Sequence, residues 1–491
     1  MKPTGELVAH DARLRSRAPF AVAATLVLAA QLLGGSSKEY VPGLSVLRPL
    51  AVLALAIGLY SFQRADWHRF RLPLAFMAAT LGLIALHLVP LPPAIWMALP
   101  GRDLAVMAGE AAGIEPPWRP LSLVPYRGWN AFYAMLVPAA IMVCAAQLDR
   151  DQHKALAFLV LGAAVISALW ASVQAISGYA PSTFLYGAPR VNVPNGLFAN
   201  RNHLAALLVA CLPLLALIAS QSKGARASLT VAACAGVAAF LMLIALTTGS
   251  RAGIVLSAVS IFASALIWRA RPKRASAKTR GAKTRSAKKP AWASYAVGVF
   301  GIALLGVVAL ILSQTTGFER LVNAGAGEVE VFRFTVWRTI AGFAPDYLPF
   351  GSGIGSFVEV FKVHEPDEML GQSYWNHAHN DWLEWAMEGG VPAIALMVAA
   401  TLGWGTRALA LARNSQRGRI ETQLGLAGAI ILFILGVWSL VDYPLRTPAL
   451  ASLAALCAIW MALPSGMQGH GRRGDTSGFT STGPALDPAL R

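Results

Sequence analysis

Apolar runs of about 20 residues recur along nearly the whole chain, separated by short polar or charged segments. A run of that length crosses a hydrocarbon core of about 30 Å as an α-helix. The pattern predicts twelve such helices, near 19–34, 44–62, 72–89, 129–147, 155–176, 203–220, 228–247, 252–268, 293–313, 390–409, 423–441 and 448–463. The expected fold is an all-α polytopic integral membrane protein with about 12 transmembrane helices. The chain then divides into a tail at 1–18, five helices within 19–176 that enclose a loop at 90–128, a middle region at 190–409, two last helices at 423–463 and a disordered tail at 464–491. The first run follows Arg13, Arg15 and Arg17 and resembles a signal peptide. It lacks a convincing small-x-small cleavage site, so an uncleaved anchor is expected.

Composition supports this class. Of 491 residues, 56% are hydrophobic and 13% charged, against about 25% charged in soluble domains, which excludes a soluble enzyme. Cys144, Cys211, Cys234 and Cys457 each stand alone in an apolar run. Neither a disulfide framework nor a CxxC metal site is encoded. The net charge of +17 invites a nucleic-acid reading, but ten basic residues lie in 269–290, a low-complexity stretch with a local AKTR repeat. Between two apolar runs, such a stretch reads as a cytoplasmic loop obeying the positive-inside rule, and no nucleic-acid partner is expected.

That placement fixes the remaining loops by alternation. The N-terminus, 63–71, 148–154, 221–227, 410–422 and the C-terminal tail fall on the basic side, which with Arg407 holds 28 of the 41 Lys and Arg residues. Both termini are expected in the cytoplasm. Loops 90–128, 177–202 and 314–389 fall on the outer side, away from ATP. Helical periodicity at 329–343 and again from Asp381 predicts short helices within the largest of them. The middles of the spans carry almost no ionisable residues and no internal repeat is visible, which disfavours ion-coupled transport. A flippase for a large amphiphile stays open.

Polar chemistry concentrates in NHAHNDWLEWAMEGG, residues 376–390. Asp381 and Glu384 read as a capping box, with Asp381 at the N-cap, and Gly389-Gly390-Val391-Pro392 as the break before the next span. His377 and His379 precede that helix start, where an imidazolium is disfavoured and a neutral imidazole can act as a base. Glu388 is a further neighbour. His377-Ala378-His379-Asn380-Asp381 also matches the start of a di-zinc HxHxDH pattern, with His364 and Glu365 as further candidate ligands. Trp382 breaks that pattern, and no metal is expected.

Arginine is the second constellation on the outer side. Arg190 and Arg201 flank the loop before span six, Arg251 occupies the short turn TTGSRAGI, and Arg333 and Arg338 lie on the loop helix. Snorkelling toward lipid phosphates suits Arg320 and Arg446. Arg251 sits in a turn so short that its side chain should meet the mouth of the bundle, where converging arginines would clamp a diphosphate. FGSGIGSF, 350–357, lacks the context of a nucleotide loop and reads as tight turn packing.

Together these features resemble the O-antigen ligase/polymerase superfamily of bacterial surface-glycan assembly. The family hallmark is His-Asn, nine residues and G-x-x-G. His379-Asn380 is followed at that distance by Gly390-Val391-Pro392-Ala393, with alanine replacing the second glycine. Ser250-Arg251-Ala252, Asn200 to Ala205 and the stretch Arg333 to Phe357 resemble three further family segments, so the likeness covers about 190–400. It implies a metal-independent, cofactor-free, inverting glycosyltransferase in the bacterial inner membrane, working at the periplasmic face. His379 would be the base and Arg251 a catalytic arginine. Arg201, Arg333, Arg338 and Arg190 would hold the diphosphate, with His377 and Glu388 assisting. The implied partners are an undecaprenyl-diphosphate-linked glycan donor, a glycan or lipid A-core acceptor and membrane lipids, with a chain-length regulator as a further candidate. Polymerase, ligase and transfer to protein serine remain open, as does a non-enzymatic lipid-glycan transporter.

Overall fold

The computed structural model describes residues 4–187, 192–269, 328–371, 374–414, 418–464 and 466–467, with side chains of 4–17 and 328–332 excepted. The elements in chain order are α1 (Thr4–Leu33), α2 (Pro42–Ser61), α3 (Arg64–His87), α4 (Pro93–Trp96), α5 (Asp103–Ala111), α6 (Pro125–Ala145), α7 (Arg150–Ile176), α8 (Arg201–Ala210), α9 (Leu212–Gln221), α10 (Ala227–Thr247) and α11 (Arg251–Arg269). Then come α12 (Glu328–Phe343), α13 (Phe357–His364), α14 (Asp381–Arg413), α15 (Ile420–Trp438) and α16 (Pro448–Ala462). Pro90–Leu91 and Arg119–Pro120 pair as a minimal antiparallel ribbon. Among the described residues, nine helices are long and apolar enough to cross a membrane, and Ala18–Leu33 and Pro448–Ala462 are shorter apolar helices. The chain is thus an all-α, multi-pass membrane protein. Eleven of the twelve expected spans have a helix. The twelfth, 293–313, lies outside the described residues, as do the basic stretch beyond Arg269, Arg190, Arg320 and most of the C-terminal tail.

Local sequence starts and stops these helices. Asp149 caps α7 by accepting from the Asp151 and Gln152 amides, both at 2.9 Å, and Gln152 bonds back to complete a capping box. Burial then sorts the helices into inner and outer. The most apolar window of 201–221 is 83% buried, and those of α2 and α11 are 28% buried. The first therefore runs through the bundle, whereas the other two turn Leu53, Val255 and Phe262 outward, where lipid would cover them.

Loops expected on one side meet one another. Ala199 N donates to Gly35 O, and Ala449 N to Gly34 O. Arg127 pairs with Glu39 at 2.8 Å and with Glu359 at 3.1 Å, and Leu123 N donates to Ser352 O. At the opposite end Gln147 Nε2 donates to Gly58 O at 2.9 Å and Gln221 Nε2 to Gly418 O at 3.2 Å. The alternation read from charge therefore corresponds to two distinct ends of the bundle.

The glycine loop is a packing device. Gly351, Gly353 and Gly355 have φ of +80°, +106° and +89°, open to glycine at little cost. A Cβ on Gly355 would stand 2.8 Å from Arg127 O, and those on Gly351 and Gly353 would collide with Glu388 O and Ser122. The Gly353 amide donates to Glu388 O at 2.8 Å, so the loop closes on the last turn of the short helix that begins α14. Gly390, at φ +58° and ψ −149°, then breaks α14, so the expected interruption before the span is present.

Candidate active site

The stretch before α14 is pinned peptide by peptide. Asn380, not Asp381, caps the helix, its Oδ1 accepting from Leu383 N at 3.0 Å. Ala378 is held on both sides: its N–H donates to Glu384 Oε2 at 2.7 Å and its carbonyl accepts from Trp337 Nε1 at 2.8 Å. Between these anchors His379 takes φ +52°. A left-handed backbone at a non-glycine residue costs roughly 1–3 kcal/mol and concentrates at functional sites.

That backbone brings the imidazole to a carboxylate 63 residues away. His379 Nδ1 lies 3.1 Å from Asp442 Oδ1, in the turn between α15 and α16. Asp442 also accepts from Asn202 Nδ2 at 2.5 Å and from the Tyr443 amide at 3.0 Å, and His203 Nε2 stands 3.9 Å away. Burial raises the Asp442 pKa, but the hydrogen bond from His379 and the surrounding His379, His203 and Arg333 side chains outweigh it and hold the carboxylate well below the usual range. Burial pushes His379 down from 6.5, assisted by Arg333 and His377 and opposed by Asp442. A neutral His379 donates Nδ1–H to Asp442, which leaves Nε2 as the lone-pair nitrogen. About 15% of the His379 side chain stays open to approach. The Tyr443 ring packs against His379, His377 and His203 at centroid distances of 4.8, 4.4 and 5.0 Å and walls the site.

A base of this kind sets a pH profile. As the base expected from the sequence, His379 would work when neutral, so activity should hold above its folded pKa and fall as pH drops through it. Because that value is depressed, the acidic limb should lie below 6.5, the ordinary imidazole value. Transfer rates of purified enzyme measured between pH 4 and 8 check this, and a limb centred above 6.5 contradicts it.

The arginines gather unevenly. Arg333 Nη1 donates to Val441 O at 3.2 Å, next to Asp442. Arg201 precedes Asn202 and donates from Nη1 to Thr248 O at 3.1 Å, three residues before Arg251, which opens α11 with an exposed side chain. Arg333 thus reaches the turn that carries Asp442, and Arg201 ties the start of α8 to the turn that leads into Arg251. Arg338, five residues past Arg333, lies on an exposed face of α12. His364 stacks on Phe343 at 4.2 Å and meets Tyr347 OH at 3.1 Å. Among the described residues, no group of three or more His, Cys, Asp and Glu is placed to hold a metal ion.

The structure corrects three expectations. Asp381 and Glu384 do not form the capping box. Arg446 does not snorkel: its Nε lies 3.1 Å from Asp381, and its Nη2 lies 3.2 Å from Glu384 and 3.4 Å from Glu388. Those carboxylates overcome the effect of burial and hold the Arg446 pKa above its ordinary value. The third is only a refinement, since His377 and Glu388, expected as neighbours of His379, make their own hydrogen bonds elsewhere. His377 pairs with Glu384 at 2.8 Å, and Glu388 accepts from Phe357 N at 3.1 Å. Sequence reasoning missed Asp442, Tyr443, Asn202 and His203. The available signal was VDYPLR, a polar turn between the last two spans, which alternation places on the same side as His379.

Residues 236–398 match the family model described as O-Antigen ligase. The match takes in Arg251, Arg333, Arg338, His377, His379 and Glu388, and stops short of Arg201 on one side and Asp442 on the other. No curated protein matches the chain.

Proposed function

From the match of residues 236–398 to the O-Antigen ligase family model, we propose that the chain transfers an undecaprenyl-diphosphate-linked oligosaccharide to a hydroxyl acceptor at the periplasmic face of the bacterial inner membrane, as an O-antigen or exopolysaccharide polymerase or as a ligase onto lipid A-core. The observation that carries this reading is the His379–Asp442 pair on a left-handed backbone. His379 Nε2 takes the acceptor proton while the acceptor oxygen attacks the anomeric carbon. The bond from that carbon to the diphosphate oxygen breaks, and the diphosphate leaves with the electron pair. A single in-line displacement inverts the anomeric centre. Asp442 stabilises the imidazolium that forms. The leaving group needs charge stabilisation rather than a proton, a role suited to Arg201, Arg251 and Arg333, with Arg338 and Arg190 as further candidates. No metal or cofactor enters the reaction. The asymmetry of Lys and Arg supports cytoplasmic termini and a periplasmic position for this end of the bundle.

Arg201→Ala and Arg251→Ala in the native host test the reading. Each should lower transfer by about 10²–10³-fold, by analogy with loss of one oxyanion-hole donor, with membrane levels unchanged. Surface polysaccharide on a gel gives the readout. Single repeat units on lipid A-core indicate a polymerase, and bare core with accumulated lipid-linked polymer indicates a ligase. Normal long-chain glycan from both variants overturns the proposal and favours a non-enzymatic transporter. Undiminished activity in chelator is expected, whereas loss restored by zinc contradicts the metal-free chemistry. Transfer to protein serine would appear instead as glycosylated protein.

A further inference from the structure

At the end of the bundle opposite His379, a cavity of ≈ 1090 Å³ opens between the start of α7, the end of α9, α10 and the start of α15. Arg150, Lys154, Lys223 and Arg419 line it, with Asp151 and Glu421, so its rim carries a net charge of +2. Asp151 is engaged by Lys154 at 2.6 Å and by Arg150 at 3.5 Å. Lys223 and Arg419 have no ion-pair partner among the described residues. Below the rim the wall turns apolar, with Ala157, Phe158, Leu217 and Ile218. Phe158 is 56% exposed although it lies inside a membrane-spanning helix. It stands eight residues past Arg150, about 12 Å along the helix axis. The opening is preformed: Gln221 holds Gly418 O at 3.2 Å and Ser220 holds Gln423 Oε1 at 3.0 Å, tying α9 to α15.

Cations at the water end and apolar side chains one headgroup deeper fit an anionic amphiphile. A soluble phosphate compound would leave the apolar wall uncovered. We propose that this pocket binds the phosphodiester headgroup of an anionic phospholipid, with Lys223 and Arg419 on the phosphate and the acyl chains lying along Phe158. The site is independent of glycan transfer, because it lies at the other end of the bundle from the dyad.

Native mass spectrometry of the full-length protein, with cardiolipin, phosphatidylglycerol or phosphatidylcholine added, tests it. The wild type should retain the two anionic lipids in preference to phosphatidylcholine. One Lys or Arg near an anionic surface contributes about 1 kcal/mol, so Lys223→Gln with Arg419→Gln should weaken retention by about tenfold or more. Arg69→Gln with Arg71→Gln removes the same charge from exposed positions at the same end and should leave retention unchanged. Equal loss in both double variants, or no loss in the first, overturns the pocket. Displacement of the lipid by millimolar inorganic phosphate also overturns it and assigns the cations to a free phosphate.

Discussion

His379→Ala should reduce glycan transfer by about 10²–10⁴-fold, the range for loss of a positioned general base. Three features make this residue hard to replace. Its Nδ1 is committed to Asp442 at 3.1 Å, its burial lowers the ring's pKa, and its backbone is held at φ +52°. Alanine removes the proposed base and also keeps a Cβ in the left-handed region. His379→Gly separates these effects. It should lose transfer as severely, with stability equal to wild type or higher by up to about 1 kcal/mol, since glycine relieves the backbone strain. Asp442→Asn leaves the shape but turns an acceptor-only partner into one that can also donate, so the His379 tautomer is no longer fixed. Transfer measured with purified protein and lipid-linked donor, beside thermal unfolding of each variant, gives both quantities. A His379→Gly protein that polymerises or ligates at the wild-type rate removes the base from the mechanism.

Much of the fold was legible because membrane insertion leaves a coarse signature. Runs of 20 apolar residues and a skewed distribution of Lys and Arg need no tertiary information, and eleven expected spans have helices, some of which extend well beyond the expected bounds. The break at Gly390 and the packing of FGSGIGSF were equally readable, because only glycine fits those backbone angles. The cap was misplaced by one residue, since Asn380 and Asp381 are both good caps and local sequence does not choose between them. What chose was tertiary: Arg446 and Ser439 draw the Asp381 side chain away, with Ser439 Oγ at 3.0 Å. His379 stood out as a polar residue near a helix start. Its partner did not, because Asp442 is 63 residues on and looked like an ordinary residue at the end of a span. Arg446 was misread for the same reason, since an arginine beside a membrane helix usually reaches for lipid phosphate, and only the converging carboxylates of α14 reverse that.

Arg446→Met should be the most destabilising single substitution at this end of the bundle. The guanidinium pairs with Asp381, Glu384 and Glu388 together, and its side chain is 15% exposed. Removing one partner of a buried ion pair leaves uncompensated charge and costs about 3–5 kcal/mol. Here three carboxylates would be left with the His377 ring, 2.8 Å from Glu384, as a remaining neighbour. Arg446→Lys keeps the charge but lacks the planar fork that reaches all three acids at once, so it should fall between wild type and methionine. The consequences extend to catalysis through Glu384, which also holds the Ala378 amide and so the backbone turn at His379. Loss of Arg446 should therefore lower both the melting temperature and the activity of the protein that remains folded. A triple change of Asp381→Asn, Glu384→Gln and Glu388→Gln in the Arg446→Met background should restore stability, because neutral amides need no cation. It should not restore full activity, because a glutamine at 384 accepts from Ala378 and His377 less strongly than a carboxylate. Thermal unfolding in detergent and transfer per folded molecule read the two effects separately. An Arg446→Met protein that melts within about 1 kcal/mol of wild type would show that the cluster does not hold this end of the bundle together.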